Sequence, residues 1–308
     1  MKFLKNKKYF QFLVMLAFVF LASCAINLAS SAAVIFEKVP AVQQAKTFPS
    51  LPVLGADTSF PVLSAQGVLA VDLNSGITLY EKNPDTQLLP ASTTKIITAL
   101  VSLDTYQLDQ ILTVGPSVSV DGQKMGLYTG EQIKFEDLLY GLLVYSANDS
   151  AEVLAENYPG SYEAFVAAMN AKAKDLSMTN SFFDNPVGLD TDGQHSTARD
   201  LTRVSEVAMR NPEFAKVVGT KNIIVTDATG KISYKLQNVN ELLGIVPGVL
   251  GIKTGWTENA RENLVTYIER DNHRVIIAIL GSQDRFGETK ELIDWIFSNY
   301  IWQEVKYP

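Results

Sequence analysis

Three short words in one order carry the chemistry of this 308-residue chain: Ser92-Thr-Thr-Lys95, then Ser146-Ala-Asn148, then Lys253-Thr-Gly255. A serine hydroxyl is a weak nucleophile at neutral pH and needs a base beside it. Lys95 follows Ser92 by three residues, so on a helix the two share a face. A lysine serves as that base only when burial or neighbouring cations lower its pKa. Lys253 is the candidate for such a neighbouring charge. A helix start under Ser92 favours developing negative charge. Ser146 and Asn148, two apart in a turn, suit a proton relay and a hold on a substrate amide. An oxyanion needs two fixed donors, for which the backbone N–H groups of Ser92 and Trp256 are the candidates. Lys253 and Thr254, with Gly255 beside them, suit a carboxylate. The chemistry is acyl transfer through a serine ester.

Each word has a plainer reading by itself. Ser92 alone reads as an N-cap and Lys95 as a solvated face. Ser146-Ala-Asn148 alone reads as a turn, and Gly255 as a strand kink. Their order and placement favour the chemical reading. The first word opens an apolar helix, the second lies between helices and the third ends a strand. His195, near a helix start, reads as a surface or supporting residue, because Lys95 already fills the role of base and no Asp is placed to orient the ring. No G-x-S-x-G string is present, which argues against an α/β-hydrolase triad.

The elements that must position these words are legible in outline. Gly67–Asp72 and Ile77–Tyr80, joined at Asn74-Ser-Gly76, read as a hairpin. A helix is predicted from Ser92, with Ile96, Ile97, Leu100, Val101 and Leu103 as its buried face. Phe135–Tyr145 and Ala151–Asn157 read as helices flanking Ser146–Ser150. Tyr162–Leu176 and Ser196–Met209 are further helices. Gly251–Trp256, Asn263–Glu269 and Arg274–Leu280 read as strands, and Glu288–Ile301 as a closing helix. The fold class is therefore α/β (α+β). A mostly antiparallel sheet built from both chain ends is covered by helices, the middle helices form a subdomain, and the site lies in the groove between.

Composition narrows the function. The chain is 47% hydrophobic and 19% charged, an ordinary globular balance. Net charge is −7, and the only charges in residues 1–36 are Lys2, Lys5, Lys7 and Lys8. The remainder is more acidic still, a poor match to nucleic acid or anionic lipid. With 2 His and 1 Cys, most zinc sites are excluded.

Residues 1–36 read as a targeting segment, 37–61 as a Pro-containing linker, and 62–308 as the catalytic body. Met1–Lys8 is a basic start, and Tyr9–Phe36 then runs without a charge. Leu21-Ala-Ser-Cys24 is similar to a bacterial lipobox, in which the Cys is lipidated. An uncleaved membrane anchor and simple cleavage near Ala29–Ala33 remain open. All three place the body outside the cytoplasm, with the lysines inside. Pro40, Pro49, Pro52 and Pro61 mark the linker as an extended spacer.

Longer stretches carry a family likeness. Pro90-Ala-Ser-Thr-Thr-Lys-Ile-Ile-Thr-Ala99, Asn185-Pro-Val-Gly-Leu-Asp190 with His195-Ser-Thr-Ala198, and Gly251-Ile-Lys-Thr-Gly-Trp-Thr257 resemble the serine D-Ala-D-Ala carboxypeptidases. These are low-molecular-mass penicillin-binding proteins of β-lactamase/transpeptidase-like fold. The likeness spans about Ser64 to Trp302. It implies attack on peptidoglycan stem peptides ending in D-Ala-D-Ala, inhibition by β-lactams, no cofactor and a place in the bacterial cell envelope. It assigns the acyl-enzyme to Ser92, the base to Lys95, the relay to Ser146 and Asn148, and substrate binding to Lys253 and Thr254. Many members continue into a β-rich domain and a C-terminal anchor; here Pro308 comes first, and the resemblance implies anchoring by the N-terminal segment. Two positions depart from the family pattern: Ala260-Arg261 replaces Ala-Gly, and Val187 stands where His or Thr is common. Three other functions are carried alongside: a D,D-endopeptidase of cross-links, a β-lactamase and a non-catalytic envelope binding protein. The β-lactamase reading lacks an E-x-x-L-N loop between Asn148 and Lys253, and the intact Ser92–Lys95 pair argues against the non-catalytic one.

Overall fold

The computed structural model describes residues 7–33, 49–56 and 58–305, with side chains over 10–23, 49–56 and 58–305. The chain divides into Met1–Thr47 and Phe48–Pro308. The first unit holds helix α1 (Lys7–Ala33). Among the described residues no helix is long and apolar enough to cross a membrane. The side chain of Cys24 lies outside the described residues.

The second unit opens with β1 (Leu51–Leu54), β2 (Gly67–Asp72) and β3 (Thr78–Lys82). A 3₁₀ turn, Ala91–Thr94, runs into α2 (Lys95–Thr105). The helical part follows: the short pair β4 (Ile111–Thr113) and β5 (Gln132–Lys134), then α3 (Phe135–Leu143), α4 (Asn148–Glu156), α5 (Tyr162–Asp175), α6 (Ala198–Met209) and α7 (Pro212–Val218). A hairpin of β6 (Asn222–Thr226) and β7 (Ser233–Gln237) precedes β8 (Val249–Thr257), β9 (Arg261–Arg270) and β10 (His273–Ser282). Helix α8 (Arg285–Asn299) and β11 (Tyr300–Gln303) close the unit.

The central sheet is antiparallel, in the order β3-β2-β10-β9-β8. It joins the start of the unit to its end, as expected from the sequence. Its strands read as unbroken apolar runs because both faces are covered. On β10, Val275, Ile277 and Ile279 point to one cluster with Leu292, Ile293 and Ile296 of α8. Ile276, Ala278 and Leu280 point the other way, to a cluster with Ile96, Ile97 and Leu201 of α2 and α6. Helix starts follow their capping residues: Ser161 accepts from Ala164 N, Thr197 from Asp200 N, and Asp284 from Gly287 N.

Two expectations are corrected here. The spacer predicted over 37–61 is in part a strand. Leu51–Leu54 pairs antiparallel with Tyr300–Gln303, Trp295 Nε1 donates to Ser59 O at 2.7 Å, and Tyr80 Oη donates to Pro61 O at 3.1 Å. Proline fixes an extended backbone that suits an edge strand as well as a linker. The second correction concerns the helix predicted from Ser92, which begins only at Lys95. Ala91 has φ 47°, and both the N–H and the hydroxyl of Thr93 donate to Pro90 O, at 3.2 and 2.6 Å. That tight winding makes the preceding turn 3₁₀.

Candidate active site

Ser92 stands on the 3₁₀ turn, where residues three apart eclipse one another. Lys95 Nζ lies 2.8 Å from Ser92 Oγ. The same nitrogen donates to Asn148 Oδ1 and to the Val187 carbonyl, both at 2.7 Å. Lys95 is fully buried, and that burial brings its pKa down to about 7, against an opposing pull from Glu152 and Asp149. Desolvation is thus what leaves the amine unprotonated near neutral pH and able to accept a proton. The charge of Lys253, expected from the sequence to depress Lys95, is not what lowers it. Lys253 is itself buried and depressed well below the usual lysine range, first by desolvation and then by Lys95 and Arg285.

The second word sits at the junction of α3 and α4. Ser146 has φ 61°, in the left-handed region, and accepts a hydrogen bond of 2.8 Å from Lys253 Nζ. Lys253 Nζ also donates to Thr254 O at 2.9 Å. Asn148 begins α4; its Nδ2 donates to Asp121 O at 2.6 Å, while its Oδ1 holds Lys95. Ser92, Lys95, Ser146, Asn148 and Lys253 are therefore brought together from three separate parts of the chain.

The third word lies on β8, an edge strand of the sheet. A Cβ on Gly255 would meet Pro90 O at 3.0 Å and Ser92 N at 3.1 Å. Only glycine lets the strand backbone approach the Ser92 turn so closely. From the other side, Gly188 has φ +90°, and a Cβ there would lie 2.0 Å from Ala91 O. The loop carrying Gly188 is shaped by Asn185, whose Oδ1 accepts from the N–H groups of Val187, Gly188 and Leu189 at 2.8–3.2 Å. That turn aims the Val187 carbonyl at Lys95. The stretch Asn185–Asp190 thus has a physical task that its sequence alone did not disclose.

These elements enclose a groove of about 660 Å³ lined by Ser92, Ser146, Asn148, Thr254, Gly255 and Trp256 among others. Trp256 is 63% exposed at its rim. His195 is not among the lining residues; its Nδ1 is 2.7 Å from Gly193 O, in keeping with a supporting residue.

Sequence reasoning missed Arg285. It lines the groove, and its Nη1 donates to Gly255 O at 3.1 Å. Its Nε is shielded from solvent without a hydrogen-bond partner. A signal was present. Arg285 is the first residue of α8, where the helix dipole disfavours a cation, so its position asks for a reason other than helix stability. Arg261 holds a left-handed conformation, with φ 58° at the turn between β8 and β9.

The chain is similar to known proteins in both sequence and fold. A family model described as D-alanyl-D-alanine carboxypeptidase matches residues 55–284. The chain is 32% identical over 255 residues to the D-alanyl-D-alanine carboxypeptidase DacF of Bacillus subtilis, covering 80% of this chain but 65% of that relative's length. It is 34% identical over 248 residues to a D-alanyl-D-alanine endopeptidase of Pseudomonas aeruginosa, covering 78% of this chain and 79% of that one. Among solved structures, the DD-transpeptidase of Streptomyces K15 superposes with a TM-score of 0.74 at 32% identity, covering 78% of this chain and all of the other.

Proposed function

We propose, from the premise that this chain belongs to the D-alanyl-D-alanine carboxypeptidase family, that it removes the terminal D-Ala from peptidoglycan stem peptides through an acyl-enzyme on Ser92. The observation that carries this reading is Lys95. Its buried nitrogen, with a pKa near 7, lies 2.8 Å from Ser92 Oγ. Neutral Lys95 takes the hydroxyl proton as Oγ attacks the carbonyl of the penultimate D-Ala. The resulting oxyanion is held by the backbone N–H groups of Ser92 and Trp256. Thr254 and Arg285 bind the terminal carboxylate, a pairing suited to a guanidinium. Asn148 keeps Lys95 in place and meets the substrate amide. Ser146, hydrogen-bonded to Lys253, passes the proton on to the departing D-Ala nitrogen. Water then attacks the ester and frees Ser92.

Product analysis of synthetic pentapeptides and of cross-linked muropeptides tests the reading. Release of D-Ala from the pentapeptide supports it. Cleavage of cross-links alone supports a D,D-endopeptidase instead, the activity in the name of the Pseudomonas relative. Benzylpenicillin should leave an adduct on Ser92 in intact-mass and peptide-mapping measurements; an adduct elsewhere, or none, overturns the assignment.

The basic, then uncharged, residues 1–36 further support attachment to the outer side of the cytoplasmic membrane. Labelled palmitate in a bacterial host distinguishes the routes. Label lost on Cys24→Ala marks a lipoprotein, and no label in either form marks an uncleaved or secreted chain.

A further inference from the structure

We propose that Glu258 selects stem peptides whose third residue carries a free side-chain ammonium, an inference that rests on the carboxypeptidase reading above. Glu258 and Arg285 are the two charged residues among the described residues that line the groove. Arg285 touches Gly255 and lies on the side of the terminal carboxylate. Glu258 lies three residues further along the same strand and turn, past Trp256.

Direction along β8 orders the substrate. Its terminal carboxylate belongs by Thr254 and its reacting carbonyl by Ser92 and Trp256. The residues before the reacting carbonyl must therefore continue past Thr257 towards Glu258. β8 advances about 3.3 Å per residue as far as Thr257, and Glu258 opens the turn just after it, which puts it roughly 5–7 Å beyond Trp256. That distance covers the penultimate D-Ala and reaches the residue before it. A long side chain ending in an amine at that third position spans the remaining gap. The complementary group is a carboxylate, and Glu258 is the carboxylate in the groove.

The turn is built to hold this residue while leaving its charge free. Thr257 Oγ1 donates to Asp190 Oδ1 at 2.9 Å, and Asn259 Nδ2 donates to Asp190 Oδ2 at 3.1 Å. Ala260 N donates to Thr257 Oγ1 at 2.9 Å. Both neighbours of Glu258 are thus tied to one carboxylate on the opposite loop, and Asp190 is occupied in doing so. Glu258 is exposed, and among the described residues it has neither a hydrogen bond nor an ion pair within 4.0 Å. Arg261, at the far end of the turn, is not within ion-pairing distance of it. A carboxylate without a partner gives up no existing contact on meeting a cation, and its anchored backbone adds no loop-ordering cost to that of the side chain.

The test uses the full chain and N-acylated peptides of the form X–D-Ala–D-Ala. X is L-lysine with a free ε-amine in one peptide and ε-N-acetyl-L-lysine in the other. Release of D-Ala is followed at low and high salt. The ratio of kcat/KM between the two peptides cancels any general loss from a substitution. The wild type should favour the free amine by about two- to fivefold, the scale of an exposed ion pair, and added salt should shrink the ratio. Glu258→Gln should bring the ratio to about one, and Glu258→Lys should reverse it. A wild-type ratio of one, or a ratio unchanged by Glu258→Gln, overturns the assignment while the carboxypeptidase reading stands. Release of D-Ala from neither peptide by the wild type overturns that reading and the role of Glu258 together.

Discussion

An ammonium taken out of water needs charge-matched partners to stay protonated, and Lys95 has none in direct contact. Its partners are a hydroxyl, an amide oxygen and a peptide carbonyl. The neutral amine is therefore favoured once pH passes about 7. Below that value the nitrogen holds a proton and cannot accept one from Ser92. Acylation by benzylpenicillin should accordingly rise with pH through about 7 and level off above it, as stopped-flow or quenched mass spectrometry would record. A flat profile across that range would remove Lys95 as base. Lys95→Ala should slow acylation by roughly 10²- to 10⁴-fold. The same residue offers a finer check. Glu152, itself pushed up to about 7 by burial, pulls the Lys95 pKa upward. Glu152→Gln removes that pull, so the midpoint of the profile should move to lower pH. A midpoint that stays in place, or rises, would show that Glu152 does not reach Lys95.

At the scale of elements, the site depends on how closely three backbones meet. The Ser92 turn is pressed by β8 at Gly255 and by the loop at Gly188. A methyl group at 188 has no space, so the loop must retreat and take the Val187 carbonyl away from Lys95. Gly188→Ala should cost about 1–3 kcal/mol of stability and slow acylation by roughly 10- to 100-fold, the scale of a misplaced catalytic group. Normal acylation in that variant would mean that the carbonyl is dispensable. The β8–β9 turn makes the opposite case. Arg261 holds φ 58°, a conformation that an L residue adopts at a cost of about 1–2 kcal/mol. Arg261→Gly relieves it but loosens the unfolded chain by about 0.4–1 kcal/mol. The net effect should be a gain of up to about 1 kcal/mol, read as a melting temperature raised by roughly 2–4 °C. Arg261→Ala should show no such gain, since alanine keeps the strain.

Across the second unit, its first strand is fastened to its last in a two-stranded sheet separate from the central one. β1 pairs with β11, and the stretch between β1 and β2 packs on α8 through Phe60, 5.0 Å from Trp295 between ring centroids. A chain starting at Val62 should therefore melt lower than one starting at Phe48. Loss of one strand pairing and one aromatic contact is worth about 2 kcal/mol in all, or roughly 4–8 °C. Equal melting temperatures would mean that residues 48–61 are a spacer after all.

The local parts of this protein were written in its sequence. Ser92 and Lys95 stand 3 residues apart, and on any tight right-handed turn that spacing brings hydroxyl and amine together. The strands of the sheet, apolar on both faces, and the capped helices are legible for the same reason, because each rests on neighbours in the chain. Tertiary structure decided what depends on distant residues. Asn148 reaches Lys95 across 53 positions, Val187 across 92, and Lys253 reaches Ser146 across 107. A lysine motif does not state how deeply its amine is buried, yet burial is what sets the Lys95 pKa near 7. A run of prolines does not state whether an unpaired strand edge waits for it, as β11 does for β1. Nor does an arginine at the start of a helix show that it faces a groove. Each of these is fixed by packing between segments that the chain itself keeps far apart.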